Sequence, residues 1–296
     1  MIFNDFGIDT ASLAGSLEGK LAAARQAGFS QVMISAVDIV GHPMGIDAGF
    51  RAVLASGLRV TGLKILRDFE GLGTHLHAYK VDVAKSMLEV CSQIGGRMLL
   101  VEASTSTHAD ADADVCARDL RKLAMLAIPM GIRIAFKGVP WSRTARDFRS
   151  AGEIVFRGDC PNLGVAIDAF DVLVANVPQD DLDAIDPGQI FLVQLSDYTW
   201  HEARSTGVDT TPAIHFRVFP GEGAHSEDIA RFVAKLDEIG YQGDFSFDVR
   251  NDDHLQMPTQ AVTDRARRAA EWLTETVLRR ALPVPNMERL RRSASS

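Results

Sequence analysis

Cysteine is scarce in this chain: three in 296 residues, Cys91, Cys116 and Cys160, far apart and without a CxxC pair. That spacing argues against a disulfide framework or a zinc knuckle and predicts three reduced, mostly buried small hydrophobes. Long apolar runs are missing as well. No stretch approaches the roughly 18 uninterrupted apolar residues of a membrane span, and the start, MIFNDFGIDT, carries acidic residues where a secretory leader carries basic ones. A cytoplasmic protein with no membrane partner is expected. Positive charge is in deficit: 31 Lys and Arg stand against 39 Asp and Glu, a formal net charge of −8. So acidic a chain is not expected to bind nucleic acid, and its one basic run, RLRRSASS at the C-terminus, reads as a frayed tail. Neither GxGxxG nor GxxxxGK[ST] follows the first apolar run, which counts against a doubly wound nucleotide-binding sheet. Short repeats, low-complexity linkers and breaks in composition are absent too, so no internal domain boundary is drawn.

What the sequence does have is alternation. Short β-rich runs occur at 31–37, 59–66, 97–103, 133–137, 163–168, 190–197 and 244–249, with IFNDFGI (2–8) as a first of eight. Amphipathic stretches such as 16–28, 77–95, 113–131 and 226–240 separate them, and several end in glycine just before the next strand, as helix C-caps do. A strand followed by a helix, repeated about eight times in about 250 residues, is the pattern of a (β/α)8 TIM barrel. A single-domain α/β barrel over 1–282 is therefore expected, with 283–296 as a C-terminal tail.

In such a barrel the chemistry sits where the strands end. The polar residues ending the apolar runs are Asp38, Glu102, Lys137, Asp168, Gln194 and Asp248, joined from the loops by Asp171, His201, His215 and Arg217. Any one carboxylate there could simply cap the next helix. The residues ending the fifth to eighth runs are harder to dismiss, because adjacent strand ends converge on one side of the mouth. Lys137, in RIAFKGVPW, is the unusual member, an ammonium group just beyond a buried strand.

Several segments resemble, in order and spacing, the 3-dehydroshikimate dehydratase branch of the sugar-phosphate isomerase/epimerase superfamily. They are GSLEGKLAAARQAGF, RDFEG (67–71), PNLGVAIDAF (161–170), IFLVQLSD, HFRVFPGEG (215–223) and FSFDVRND (245–252), and the resemblance runs from about residue 8 to about residue 275. It implies a xylose-isomerase-like TIM barrel and one divalent metal held by Glu, Asp, Gln or His, and Glu at the ends of strands five to eight. Those positions fall on Lys137, Asp168, Gln194 and Asp248. The Asp and Gln are kept, the last Glu is shortened, and the first is inverted in charge. The family's DSFH is DAFD here, placing Asp171 where a histidine would face substrate. VEIFEND is VMISAVD, and SRHxR is AIHFR, which keeps His215 and Arg217. The departures cluster at the expected chemical centre while the scaffold motifs stay.

A dication with three carboxylates sums to −1, and one ammonium with two carboxylates also sums to −1. Lys137 can thus supply in place part of the charge a metal would bring, and the two should exclude each other by repulsion at short range. Three readings follow. Lys137 is a metal-free electrophile while Asp168, Asp171 or Asp248 moves the proton; or it is a neutral Schiff-base amine, which the neighbouring carboxylates oppose; or its ion pairs merely plug an inactive, ligand-binding barrel. On the first reading the resemblance implies a lyase or isomerase that abstracts a proton next to a carbonyl of a small polyhydroxylated keto acid or sugar. Gln194, His215, Arg217, Glu102 and Arg67 would bind the substrate, and no cofactor is expected. The alternative is a divalent metal (Mn, Mg, Co or Zn) on Asp168, Gln194 and Asp248. Trp141 and Trp200 could wall the pocket or cover the rim, and a homo-oligomer is left open.

Overall fold

The computed structural model of the chain describes residues 3–200 and 215–278. The eight apolar runs become β1 (Phe6–Asp9), β2 (Gln31–Ser35), β3 (Arg59–Arg67), β4 (Met98–Glu102), β5 (Arg133–Lys137), β6 (Leu163–Asp168), β7 (Ile190–Leu195) and, after two short rim strands, β10 (Asp244–Phe247). All eight pair in parallel and β10 closes back on β1, giving a TIM barrel. The rim strands, β8 (Asp197–Tyr198) and β9 (Arg217–Val218), form a separate antiparallel pair.

Side chains along a strand alternate faces, and that alternation places the site. On β5, Ile134 and Phe136 join the large core between barrel and helices, while Ala135 joins the small cluster inside the barrel with Met33, Met98, Leu100, Ala166, Phe191 and Leu192. Two residues beyond Ala135 comes Lys137, on the same inward face. The same count carries Leu100 to Glu102, Ala166 to Asp168 and Leu192 to Gln194. Below this polar ring the interior is tight: a Cβ on Gly62 would lie 2.4 Å from the Met98 carbonyl oxygen.

Element ends differ from the sequence reading in physically interpretable ways. The first strand begins at Phe6, after a 3-10 turn over Phe3–Asp5, and runs one residue further, to Asp9. The second stops at Ser35, because Ala36–Val40 coils into a short helix whose Asp38 is drawn to Lys20 at 2.8 Å, away from the barrel axis. The seventh run breaks at Ser196, and Asp197 starts the rim pair instead. All three cysteines are free, and Cys91 and Cys116 are buried. Among the described residues no helix is long and apolar enough to cross a membrane. His201 and the expected tail, 283–296, lie outside the described residues.

Candidate active site

Lys137 is 1% exposed, and its ammonium group lies inside the C-terminal mouth of the barrel. Gln194 Oε1 accepts its hydrogen bond at 3.2 Å. Three carboxylates surround it at greater distance: Asp168 at 3.5 Å, Glu102 at 3.6 Å and Asp171 at 3.7 Å. Burial works to lower the lysine pKa, but the charges of Asp171, Asp168 and Glu102 outweigh it and raise the pKa above its ordinary value. The group is a cation that stays charged.

The three carboxylates are held differently. Asp168 caps the helix that follows it, its Oδ1 accepting from the Phe170 N–H at 3.0 Å, while Oδ2 accepts from Arg217 at 2.9 Å. Glu102 is pushed up by burial, yet Lys137, Arg67 and Arg250 overcome this and hold it down at about 2; Arg67, with its side chain 48% exposed, grips it at 2.9 Å. Asp171 is the exception. Burial, reinforced by Asp168, lifts its pKa to about 7 against the pull of Lys137 and Arg217. Neither of its oxygens accepts a hydrogen bond among the described residues.

The rest of the ring is a second cluster around Asp248 and Gln194, of which the sequence reading missed Lys64, Asp9, Ser246 and Arg250. Lys64, 3% exposed, forms ion pairs with Asp9 and, at 2.8 Å, with Asp248. The Gln194 amide nitrogen donates to Asp9 at 3.0 Å and to Asp248 at 3.3 Å, so this one side chain bridges the two clusters. Ser246 donates to Asp9, and Arg250 closes on Asp248 at 3.2 Å. Burial would raise the Asp248 pKa, but Arg250 and Lys64 lead the charges that hold it well below the carboxylate range. Together, five basic side chains (Lys64, Arg67, Lys137, Arg217, Arg250) face five carboxyl groups (Asp9, Glu102, Asp168, Asp171, Asp248).

The structure therefore brings together Lys137, Asp168, Asp171, Asp248, Gln194, Glu102, Arg67 and Arg217. Arg217 is 1% exposed and engages Asp168, Ser196 and the face of Phe170. His215 stands apart at the rim, half exposed and 3.3 Å from Asp252. Trp200 packs edge-on against Phe216 nearby, and Trp141 leans on the outer core.

These donors do not fit a divalent ion. Asp168 is taken by a helix N–H, Arg217 and Lys137; Gln194 turns its oxygen to Lys137; Asp248 faces Lys64 and Arg250. Among the described residues no group of three His, Cys, Asp or Glu side chains is arranged to hold a metal.

Comparison with known proteins places this geometry in context. The profile of the Xylose isomerase-like TIM barrel family matches residues 21–276. A 3-dehydroshikimate dehydratase of Pseudomonas aeruginosa is 31% identical over 270 residues, which cover 90% of this chain and 41% of that protein. The chain thus spans well under half the length of that relative. An inosose isomerase of Halalkalibacterium halodurans is 29% identical over 154 residues, 51% of each chain. Among solved structures, a xylose isomerase-like TIM barrel/4-hydroxyphenylpyruvate dioxygenase fusion protein superposes with a TM-score of 0.86 at 27% identity, covering 95% of this chain and 45% of that one.

Proposed function

Because the chain belongs to the Xylose isomerase-like TIM barrel family, we propose that it is a lyase or isomerase that abstracts a proton next to a carbonyl, with Lys137 in place of a metal. The substrate is a small polyhydroxylated keto acid or sugar, the class to which its dehydratase and inosose isomerase relatives point. The observation that carries this reading is the state of the Lys137 ammonium. It is buried and charged, yet among the described residues only Gln194 lies within hydrogen-bond distance; the carboxylates at 3.5–3.7 Å supply field without saturating its N–H groups. An ammonium so held can donate to a substrate carbonyl and stabilise the negative charge that grows on that oxygen.

Asp171 is the base on this reading. A carboxylate held at about 7 is ionised in a useful fraction at neutral pH and still takes up a proton readily. It removes the proton from the carbon beside the carbonyl, and the electron pair moves onto the carbonyl oxygen opposite Lys137. The protonated Asp171 then returns its proton either to a hydroxyl departing from the next carbon, giving water and an unsaturated product, or to the former carbonyl carbon while the hydroxyl proton of the deprotonated carbon passes to the former carbonyl oxygen, giving an isomer. Gln194 holds a hydroxyl. Arg67, half exposed and anchored on Glu102, receives the polar end of the substrate at the mouth. The raised pKa of Lys137 opposes a Schiff base. The protein acts in the cytoplasm on a small molecule, without a nucleic-acid or membrane partner.

One observation favours a second reading. The ion pairs balance five against five, as a structural plug in an inactive, ligand-binding barrel would. Deuterium exchange separates the two. Chelator-treated protein is incubated in D2O with a panel of keto acids and ketoses, and exchange at the carbon beside the carbonyl is followed by NMR. The enzyme reading expects exchange with at least one compound, falling at least about a hundredfold in Lys137→Met and in Asp171→Asn. Exchange that survives in both variants would remove these residues from the chemistry.

A further inference from the structure

Among the described residues, Lys137 is one of two ammonium groups inside the barrel. Lys64 rises from the inward face of β3, where it registers with Leu100 of β4 and with Ser35 of β2. Its Nζ lies 2.8 Å from Asp248 Oδ1 and is also paired with Asp9, and the whole residue is 3% exposed. Between the two lysines stands Gln194, fully buried, with its oxygen turned to Lys137 and its amide nitrogen to Asp9 and Asp248.

The oxygen donors that converge at these strand ends, on Asp168, Gln194 and Asp248, are thus covered from two sides. Lys137, with Arg217, covers Asp168 and itself covers the Gln194 oxygen; Lys64, with Arg250, covers Asp248. Two ammonium groups carry a formal +2, the charge of one divalent ion; with Asp168, Asp248 and the Asp9 that Lys64 also pairs with, the sum is −1, that of a dication with three carboxylates. We propose that Lys64 and Lys137 together take the place of one divalent ion, so that metal binding returns only when both are removed. This rests on the reading of Lys137 given above and extends it to a residue outside that mechanism.

The reason is electrostatic. Reverting Lys137 to an acidic residue would restore a ligand beside Asp168, but an ion ligated by Asp248 would still sit a few ångströms from the Lys64 ammonium. A dication and a monocation that close repel strongly even at the screened dielectric of a protein interior. Asp9 offsets only part of that repulsion, and with its oxygens held by Lys64, Ser246 and Gln194 it is not free to ligate the ion.

The test is manganese binding, read by titration calorimetry and by metal content after dialysis, on the wild type, Lys137→Glu, and Lys64→Gln/Lys137→Glu. A third variant adds Asp9→Asn, so that no carboxylate is stranded if the double variant fails to fold by circular dichroism. One equivalent of manganese is expected in the double or triple variant, bound at least about a hundredfold more tightly than in Lys137→Glu alone. Comparable binding by Lys137→Glu alone would overturn the role of Lys64, and so would folded double and triple variants that bind no more tightly than it does. A stoichiometric metal in the wild type would overturn the earlier reading of Lys137, and this inference with it.

Discussion

Replacing Asp171 with Asn should make the protein more stable and remove its chemistry, and the gain in stability should grow with pH. Burial and the adjacent Asp168 raise the Asp171 pKa from 3.8 to about 7. A carboxylate whose folded-state pKa is raised binds more protons in the native than in the unfolded chain between those two values, so stability falls as pH rises through that window. At about 1.4 kcal/mol per pH unit, the gap amounts to about 4 kcal/mol once pH exceeds 7. Asparagine is isosteric and cannot ionise. Relative to wild type its advantage should be under about 2 kcal/mol at pH 5 and should rise by about 3 kcal/mol by pH 8.5. Urea denaturation at the two pH values measures this directly. If Asp171→Asn is less stable than wild type at pH 8.5, or if the difference does not change with pH, then Asp171 is a satisfied ion-pair partner rather than a strained base.

Three further outcomes follow from contacts already described or adjacent to them. Lys137→Met leaves Glu102, Asp168 and Asp171 facing one another without their shared cation. A loss of about 3–5 kcal/mol is expected by urea melting at pH 8, and a smaller loss at pH 5, where Asp171 is protonated and no longer repels its neighbours. Glu70 is buried, with its pKa raised to about 7 chiefly by that burial; its Oε1 accepts from the Ser104 N–H at 2.6 Å and the Thr144 hydroxyl at 2.5 Å. Glu70→Gln keeps an acceptor for both and should be the more stable protein above pH 7, because the cost of ionising Glu70 disappears. Glu70→Ala strands both donors and should cost about 1–3 kcal/mol, so equal denaturation midpoints for the two variants would refute this. Gly62→Ala drives a methyl group against the Met98 carbonyl at 2.4 Å. Thermal unfolding should show a loss above about 2 kcal/mol, since backbone on the facing strand cannot rotate away.

The strand-ending polar residues were legible in the sequence because alternation along a strand is a strict count. A polar residue ending an apolar run must face inward if the residue two before it does, and Lys137, Asp168 and Gln194 obey this. Lys64 was missed although it carries the same signal, a lysine on the inward face of a strand. It sits inside RVTGLKIL rather than at its end, and a long run invites reading only its last residue. Asp9 was lost by ending the first strand one residue early. Arg250 lies two residues beyond Asp248, where side-chain reach rather than register brings it back over the mouth at 3.2 Å. Arg217 and His215 lie two residues apart in sequence but part in space: the first turns inward to Asp168 from β9, and the second stays at the rim with Asp252. Pattern alone does not separate them, because that divergence is set by the rim pair of strands.

The most direct trial of Lys137 as a built-in cation is turnover without metal. Using whichever compound shows deuterium exchange, the rate is measured after exhaustive dialysis against a strong chelator and again after manganese, magnesium, cobalt or zinc is returned. An unchanged rate in every case is the outcome expected if the ammonium group supplies the charge. Activity abolished by the chelator and restored by one equivalent of a divalent ion would contradict it.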